Sequence, residues 1–369
     1  MTQPLSPSHR DPSADNAPLL GGQVHGPVSG REPRLGGRAI VSDLLEALRG
    51  RDLQARLAAG RTLKQIRDPQ AVELLLGALA DDHMQVRSVA AAALGAIAED
   101  SPERARMVAA TGATPALLHL LRDRHIPVRM ASARALGQIG DPEALPGLLD
   151  ALRDVSPHVR GNAAAALGSM GALHPERGAE LIPPLIAALG DADSGVRALS
   201  ALALGRVAAA HHDPALRGQV VPALLNTFRD SSVNVRTNAA WALGLIGPDA
   251  VPAMIHALRD EQMQVRSAAA SVLKQVAERH GRASKAVDAL IAALDDVDET
   301  VRWYAIGALG VIRDPRAVPH LVRVLDDMHK PYPFDEMRIC DIAAEALERI
   351  GTPEARAAVR IWRVSRWLR

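Results

Sequence analysis

The chain is 369 residues long, 48% hydrophobic and only 2% aromatic, with a formal net charge of +1. An apolar supply dominated by Ala, Leu and Val suits closely packed helices better than sheets, which favour β-branched and aromatic side chains. The near-zero charge excludes a global field that would steer the chain to nucleic acid or a membrane. The single cysteine, Cys340, excludes an internal disulfide framework and a cysteine-rich zinc module.

Residues 1–37 are rich in Pro, Gly, Ser and Asp and lack the apolar mass that would offset ordering entropy, so a disordered tail is expected. No apolar run follows the first basic residues, as it would in a secretory signal, and no stretch is long enough for a transmembrane helix. A cytoplasmic location is the expectation.

From there the sequence repeats itself. Aligned on a Val-Arg pair, copies begin at Val86 (VRSVAAAALGAI), Val128 (VRMASARALGQI), Val159, Val196, Val235 (VRTNAAWALGLI), Val265 (VRSAAASVLKQV) and Val301 (VRWYAIGALGVI). Degenerate copies at Ala55 and Ile339 bring the total to nine, spaced by 30 to 42 residues. Apolar residues recur on a 3.6-residue period within each copy, which predicts an amphipathic helix. A second helical pattern precedes many copies, as in AVELLLGALADD, and punctuation such as Gly140-Asp141-Pro142 separates units with a helix stop and a first-turn proline. The reading is an all-α solenoid of nine helical hairpins over residues 38–351, in which neighbours bury what each hairpin alone cannot.

An aspartate precedes the repeated arginine by six residues each time: Asp81 and Arg87, Asp123 and Arg129, Asp154 and Arg160, Asp191 and Arg197, Asp230 and Arg236, Asp260 and Arg266, Asp296 and Arg302. A residue type recurring once per unit serves each unit, and we expect a structural ladder. The aspartate, in the interhelical turn, can accept backbone N–H groups at the start of the second helix. The arginine can donate to that aspartate or to the next repeat's. The recurring Gly95, Gly137, Gly168, Gly205, Gly244 and Gly310 each cost about 1 kcal/mol against Ala in a helix. Their retention points to second helices approaching closely where a Cβ would obstruct them.

These motifs resemble HEAT repeats, most closely the short subclass also found in phycobilisome lyases. The resemblance implies stacked hairpins whose second helices line a concave groove, and leaves activity open. Counting the Val as zero, a helical wheel puts positions two, six and nine opposite the buried stripe, with position three on its flank. The early repeats are bland there. Repeats six to eight offer Asn238 and Trp241, then Ser267 and Ser271, then Trp303 and Tyr304. All eight aromatics fall between Phe228 and Trp367. Aromatic walls two repeats apart would stand roughly 16–20 Å from each other, suited to an extended peptide or a helix. The same aromatics could instead pack between helices. Asn238-Ala-Ala-Trp241 also resembles the Trp-bearing inner helix of peptide-binding armadillo repeats, but where that family carries a second Asn this chain has Leu245.

Two further departures follow. The insertion DDMHKPYPFDE presents Tyr332 and Phe334, as either a partner contact or a flap over the last repeat. Residues 352–369 form a basic amphipathic helix that can cap the array or make an auxiliary contact with a membrane or an acidic surface. Catalytic chemistry finds little support. No metal or cofactor is expected: none of the thirteen histidines precedes a glutamate, whereas the di-iron deoxyhypusine hydroxylases, built from such repeats, use His-Glu pairs. His211-His212-Asp213 is the only local cluster, and adjacent helical side chains diverge. Arg134 and Arg206 stand isolated among neutral groove positions, unlike a basic nucleic-acid face. The expectation is a non-enzymatic scaffold that holds a protein or peptide partner at repeats six to eight. A phycobilin-lyase-like subunit is the alternative.

Overall fold

The computed structural model describes residues 43–44, 46–211, 213–281, 283–330 and 337–367. The chain divides into Met1–Ile40 and Val41–Arg369, and every element below belongs to the second unit. The expected disordered tail lies outside the described residues, as do Tyr332 and Phe334 of the insertion.

Among the described residues all regular elements are helical. After helical residues 43–44 and 46–49 come α1 (Leu53–Ile66), α2 (Val72–Ala78), α3 (Met84–Glu99), α4 (Pro102–Ala110), α5 (Ala113–Leu120), α6 (Ile126–Ile139), α7 (Leu145–Ala151) and α8 (Pro157–Leu173). Then follow α9 (Gly178–Ala188), α10 (Ser194–Ala210), α11 (Pro214–Asn226), α12 (Val233–Ile246), α13 (Val251–Ala257) and α14 (Met263–His280). The array ends with α15 (Val287–Ala292), α16 (Glu299–Ile312), α17 (Val318–Val324), α18 (Ile339–Ile350) and α19 (Pro353–Trp367).

The second helices of the repeats, α1, α3, α6, α8, α10, α12, α14, α16 and α18, pack each against the next in chain order, and from α3 onward each also packs on the shorter helix before it. This is the expected α-solenoid. One cluster of Leu, Ile, Val and Ala runs through it, so the core is a continuous strip rather than a set of separate centres. The punctuation works as its residues dictate. Gly140 ends α6 at φ +70°, in the left-handed region that glycine enters without steric cost. The Asp141 carboxylate then accepts the Glu143 N–H, and Pro142 opens a single 3₁₀ turn ahead of α7. Helix α4 was not legible in the repeat, and it accounts for the longest spacing, from Val86 to Val128.

The glycines sit where second helices nearly touch. A Cβ on Gly137 would lie 2.6 Å from Ala166 Cα, one on Gly168 2.7 Å from Ala203 Cα, and one on Gly205 2.6 Å from Ala242 Cα. Position nine is therefore an interhelical contact, correcting the wheel, which put it on the open side. The wheel treats each helix alone, whereas in a stack the flanks are also covered.

The repeated arginine joins two units at once. Arg160 donates from Nε and Nη2 to both oxygens of Asp191, in the next repeat, at 2.7 Å each. Its Nη1 donates to the carbonyl of its own repeat's Asp154 at 2.9 Å. Arg129 grips Asp154, Arg197 grips Asp230 and Arg266 grips Asp296 in the same two-pronged way, with Nε–Oδ2 distances of 2.7, 2.6 and 2.6 Å. Arg87 reaches Asp123 at 2.8 Å. Each carboxylate also accepts the N–H two residues on, such as His83 for Asp81 and Ser156 for Asp154, both at 2.8 Å. That residue is the N-cap of the second helix, so the aspartate braces the cap rather than the first turn itself.

The ladder extends beyond the motif that revealed it. Arg56 in α1 lies 3.0 Å from Asp81, and Arg302 reaches Asp327 at 3.1 Å. The carboxyls of Asp123, Asp154, Asp191, Asp230, Asp296 and Asp327 are held below the usual carboxylate range. For Asp191 and Asp230 the hydrogen-bonded guanidinium is the largest cause, opposed by burial. For Asp123, Asp154 and Asp296 burial pushes hardest, upward, and the arginine and N–H bonds together outweigh it.

Candidate functional site

A cleft of about 450 Å³ opens along α12, α14 and α16, lined by Thr237, Trp241, Ser267, Ser271 and Tyr304 and also by Arg236, Gln264 and Gln275. Four of the residues singled out in the sequence, Trp241, Ser267, Ser271 and Tyr304, thus share one depression. Their spacing explains why: successive second helices lie side by side, so position six of α12, positions two and six of α14 and position three of α16 face a common space. The residues at its rim that sequence reasoning missed are Val233 and Met263, large apolar side chains left 62% and 43% exposed. Both stand two residues before the Val-Arg pair. Met84 and Ile126 hold the same place in earlier repeats, so position minus two carried the signal.

Two expected residues lie elsewhere. The Asn238 amide donates to the Ala198 carbonyl at 3.1 Å and so ties α12 back to α10. Trp303 is half-buried against the core, meets Tyr304 edge-on with ring centroids 5.1 Å apart, and carries the Lys274 ammonium 5.4 Å from its ring centre. The wall opposite Trp241 is therefore Tyr304, with Trp303 as its support. Burial pushes the Tyr304 phenol up, and a hydrogen bond with Ser271 pulls the other way. The Arg279 guanidinium lies 5.7 Å from the Trp241 ring centre, within cation–π range.

Among the described residues, the cleft coincides with the one joint where the stacking devices fail together. The expected rung between Arg236 and Asp260 is absent. The Asp260 carboxylate is taken instead by Arg229, just ahead of α12, while among the described residues Arg236 keeps only its Nη1 bonds to the Asp230 and Ser231 carbonyls, at 2.8 and 3.1 Å. Gly244 faces no alanine: a Cβ there would lie 2.6 Å from Gln275 Oε1, a movable side-chain end. Where the neighbouring repeats place Ala and Gly, α14 carries Val272 and Lys274. Bulkier residues at the contact and a diverted carboxylate leave room between α12 and α14.

Against this geometry, a family model for HEAT repeats matches residues 41–111, 114–205, 221–281 and 251–332, well over half of the chain. The chain belongs to the HEAT-repeat family. Its cleft is thus carried on second helices of a HEAT array. Among solved structures, an engineered protein is similar over 88% of this chain and 92% of its own, with 24% identity and a TM-score of 0.49. A computationally designed armadillo repeat protein for modular peptide recognition is 26% identical over 56% of this chain and all of its own, with a TM-score of 0.45. A second designed armadillo repeat protein is 24% identical, with the same coverage and TM-score. No curated protein sequence matches the chain.

Other candidate chemistry is sparse. Among the described residues no cluster of three His, Cys, Asp or Glu could hold a metal, and no helix is long and apolar enough to cross a membrane. His212 lies outside the described residues, and Asp213 caps α11 by accepting the Ala215 N–H. Cys340 is fully buried, its thiol pushed up by that burial, with Met328 Sδ 3.7 Å from its sulfur. Helix α19 buries Ala355 and Val359. Its Arg363 pairs with Glu348 of α18 at 2.8 Å and its Arg366 with Asp341. Its outer side is less polar than expected, with Ile361 70% and Val364 60% exposed.

Proposed function

We propose that this HEAT-repeat protein is a non-enzymatic scaffold that holds an extended segment of a protein partner in the cleft along α12, α14 and α16. The observation that carries this reading is the cleft itself: aromatic walls at Trp241 and Tyr304, serine hydroxyls between them and exposed apolar residues at the rim. Aromatic side chains that present an apolar body beside hydrogen-bonding groups are the residues that anchor interfaces. The described lining contains no His, Cys, Asp or Glu, so its hydroxyls have no imidazole or carboxylate base among the lining residues to activate them, and the cleft is read as a surface for binding. A photo-crosslinking amino acid placed at Ser267, with Ser88 on α3 as a control position, tests this in native lysate. Covalent protein adducts from position 267 and none from position 88 are expected. Adducts at both positions alike, or at neither, would sink the proposal.

A further inference from the structure

Resting on that reading, we infer that Arg236 is a carboxylate receptor built into the cleft, so that the partner segment carries an Asp or Glu beside the apolar residue held by Trp241 and Tyr304. The template lies within the molecule. In the rungs at Arg129, Arg160, Arg197 and Arg266, the Nε–Nη2 edge of the guanidinium takes both oxygens of a carboxylate, at 2.6–2.9 Å. In each of them Nη1 is pinned to the carbonyl six residues back. Arg236 has the same pin, at 2.8 Å, which presents its Nε–Nη2 edge in the same manner. Among the described residues, however, no carboxylate occupies that edge, because Arg229 holds Asp260.

Arg236 is half-buried and lines the cleft. A guanidinium fork matches a carboxylate bidentately, and a pinned fork loses little freedom on binding. The charge around it has the matching sign. None of the described lining residues is acidic, and Lys274 and Arg279 stand over Trp303 and Trp241 nearby. The acids around it are already engaged: Asp230 with Arg197, Asp260 with Arg229 and Glu278 with Lys274. The partner supplies the missing half of the rung.

The test selects random dodecapeptides against the full chain, then titrates the most enriched peptide and its acid-to-amide version against wild type, Trp241→Ala and Arg236→Gln. Selected peptides should share an Asp or Glu at a fixed offset from an aliphatic or aromatic residue. Neutralising that acid should weaken binding to wild type by roughly tenfold or more, the worth of a hydrogen bond to a charged group, and should change binding to Arg236→Gln little. The peptide-side change leaves the protein untouched, so a folding defect cannot imitate the result. Peptides that need Trp241 but show no acidic position, or an acid whose effect survives in Arg236→Gln, overturn this inference and leave the cleft standing. An absence of enriched peptides, or binding indifferent to Trp241→Ala, overturns the cleft and this inference with it.

Discussion

Alanine at Gly137 and alanine at Gly218 should move stability in opposite directions. Both glycines lie inside helices, α6 and α11, and alanine gains about 1 kcal/mol over glycine in a helix interior. At Gly218 nothing lies within 4 Å of the added Cβ, so that gain stands alone. At Gly137 the Cβ would meet both Ala166 Cα and Ala166 Cβ at 2.6 Å, about 1 Å inside ordinary carbon contact. Neither atom can swing away, because one is backbone and the other is fixed to it. Helices α6 and α8 must separate, and a gap of about 0.5–1 Å already forfeits a quarter to a half of the contact energy along the seam. Overpacking of this kind costs about 1–3 kcal/mol, and the absence of any rotameric escape places it at the upper end, for a net loss of about 2 kcal/mol. Thermal unfolding followed by circular dichroism should show Gly218→Ala melting slightly above wild type and Gly137→Ala a few degrees below it. If Gly137→Ala melts at or above wild type, the close-approach argument is wrong.

The ladder makes separate predictions. Arg160→Ala leaves the Asp191 carboxylate, 13% exposed, without its guanidinium and should cost about 2 kcal/mol. Arg236→Ala, which loses only carbonyl bonds, should cost about half as much, and equal losses in denaturant titrations would contradict the missing rung. Arg229→Ala frees the Asp260 oxygen that corresponds to the Nε-bound one in other rungs, so Arg236→Ala should become more costly in that background, by about 1 kcal/mol in a double-mutant cycle. Asp123, Asp154, Asp191, Asp230 and Asp296 are all lowered in the fold. The unfolded chain therefore binds more protons just below the ordinary aspartate range. Stability should hold above about pH 5 and fall as acid carries the pH through about 4 and on through the lower folded values, and a flat profile there would refute the ladder's contribution. Cys340, buried with a raised pKa, should resist thiol reagents at pH 8 until denaturant is added, and rapid native labelling would show it accessible.

The fold was legible because repetition averages over local noise. Recurring valine, arginine and glycine positions are each weak alone, but a stack requires the same contact at every joint. The direction of the rungs was not legible, since one aspartate lies near both its own arginine and the previous repeat's. The break at Arg236 was also hidden, because both residues of that pair match the pattern and the competitor, Arg229, lies outside it. Trp241, Ser267, Ser271 and Tyr304 could be placed from helical spacing, whereas Asn238 and Trp303 could not. A wheel gives direction around one helix and says nothing of the neighbour that captures an amide or covers an indole.

Because each guanidinium reaches forward and each carboxylate is gripped from behind, every unit carries half of two different joints. A unit inserted anywhere brings one donor and one acceptor, and a unit deleted removes one of each, so the joints on either side can close again without an orphaned charge. Such an array can grow or shrink by duplication or loss of whole units, and it tolerates linkers of unequal length. The joint between α12 and α14 is exempt from this exchange. There the halves no longer belong to each other, and a unit copied from elsewhere would restore the joint at the expense of the cleft.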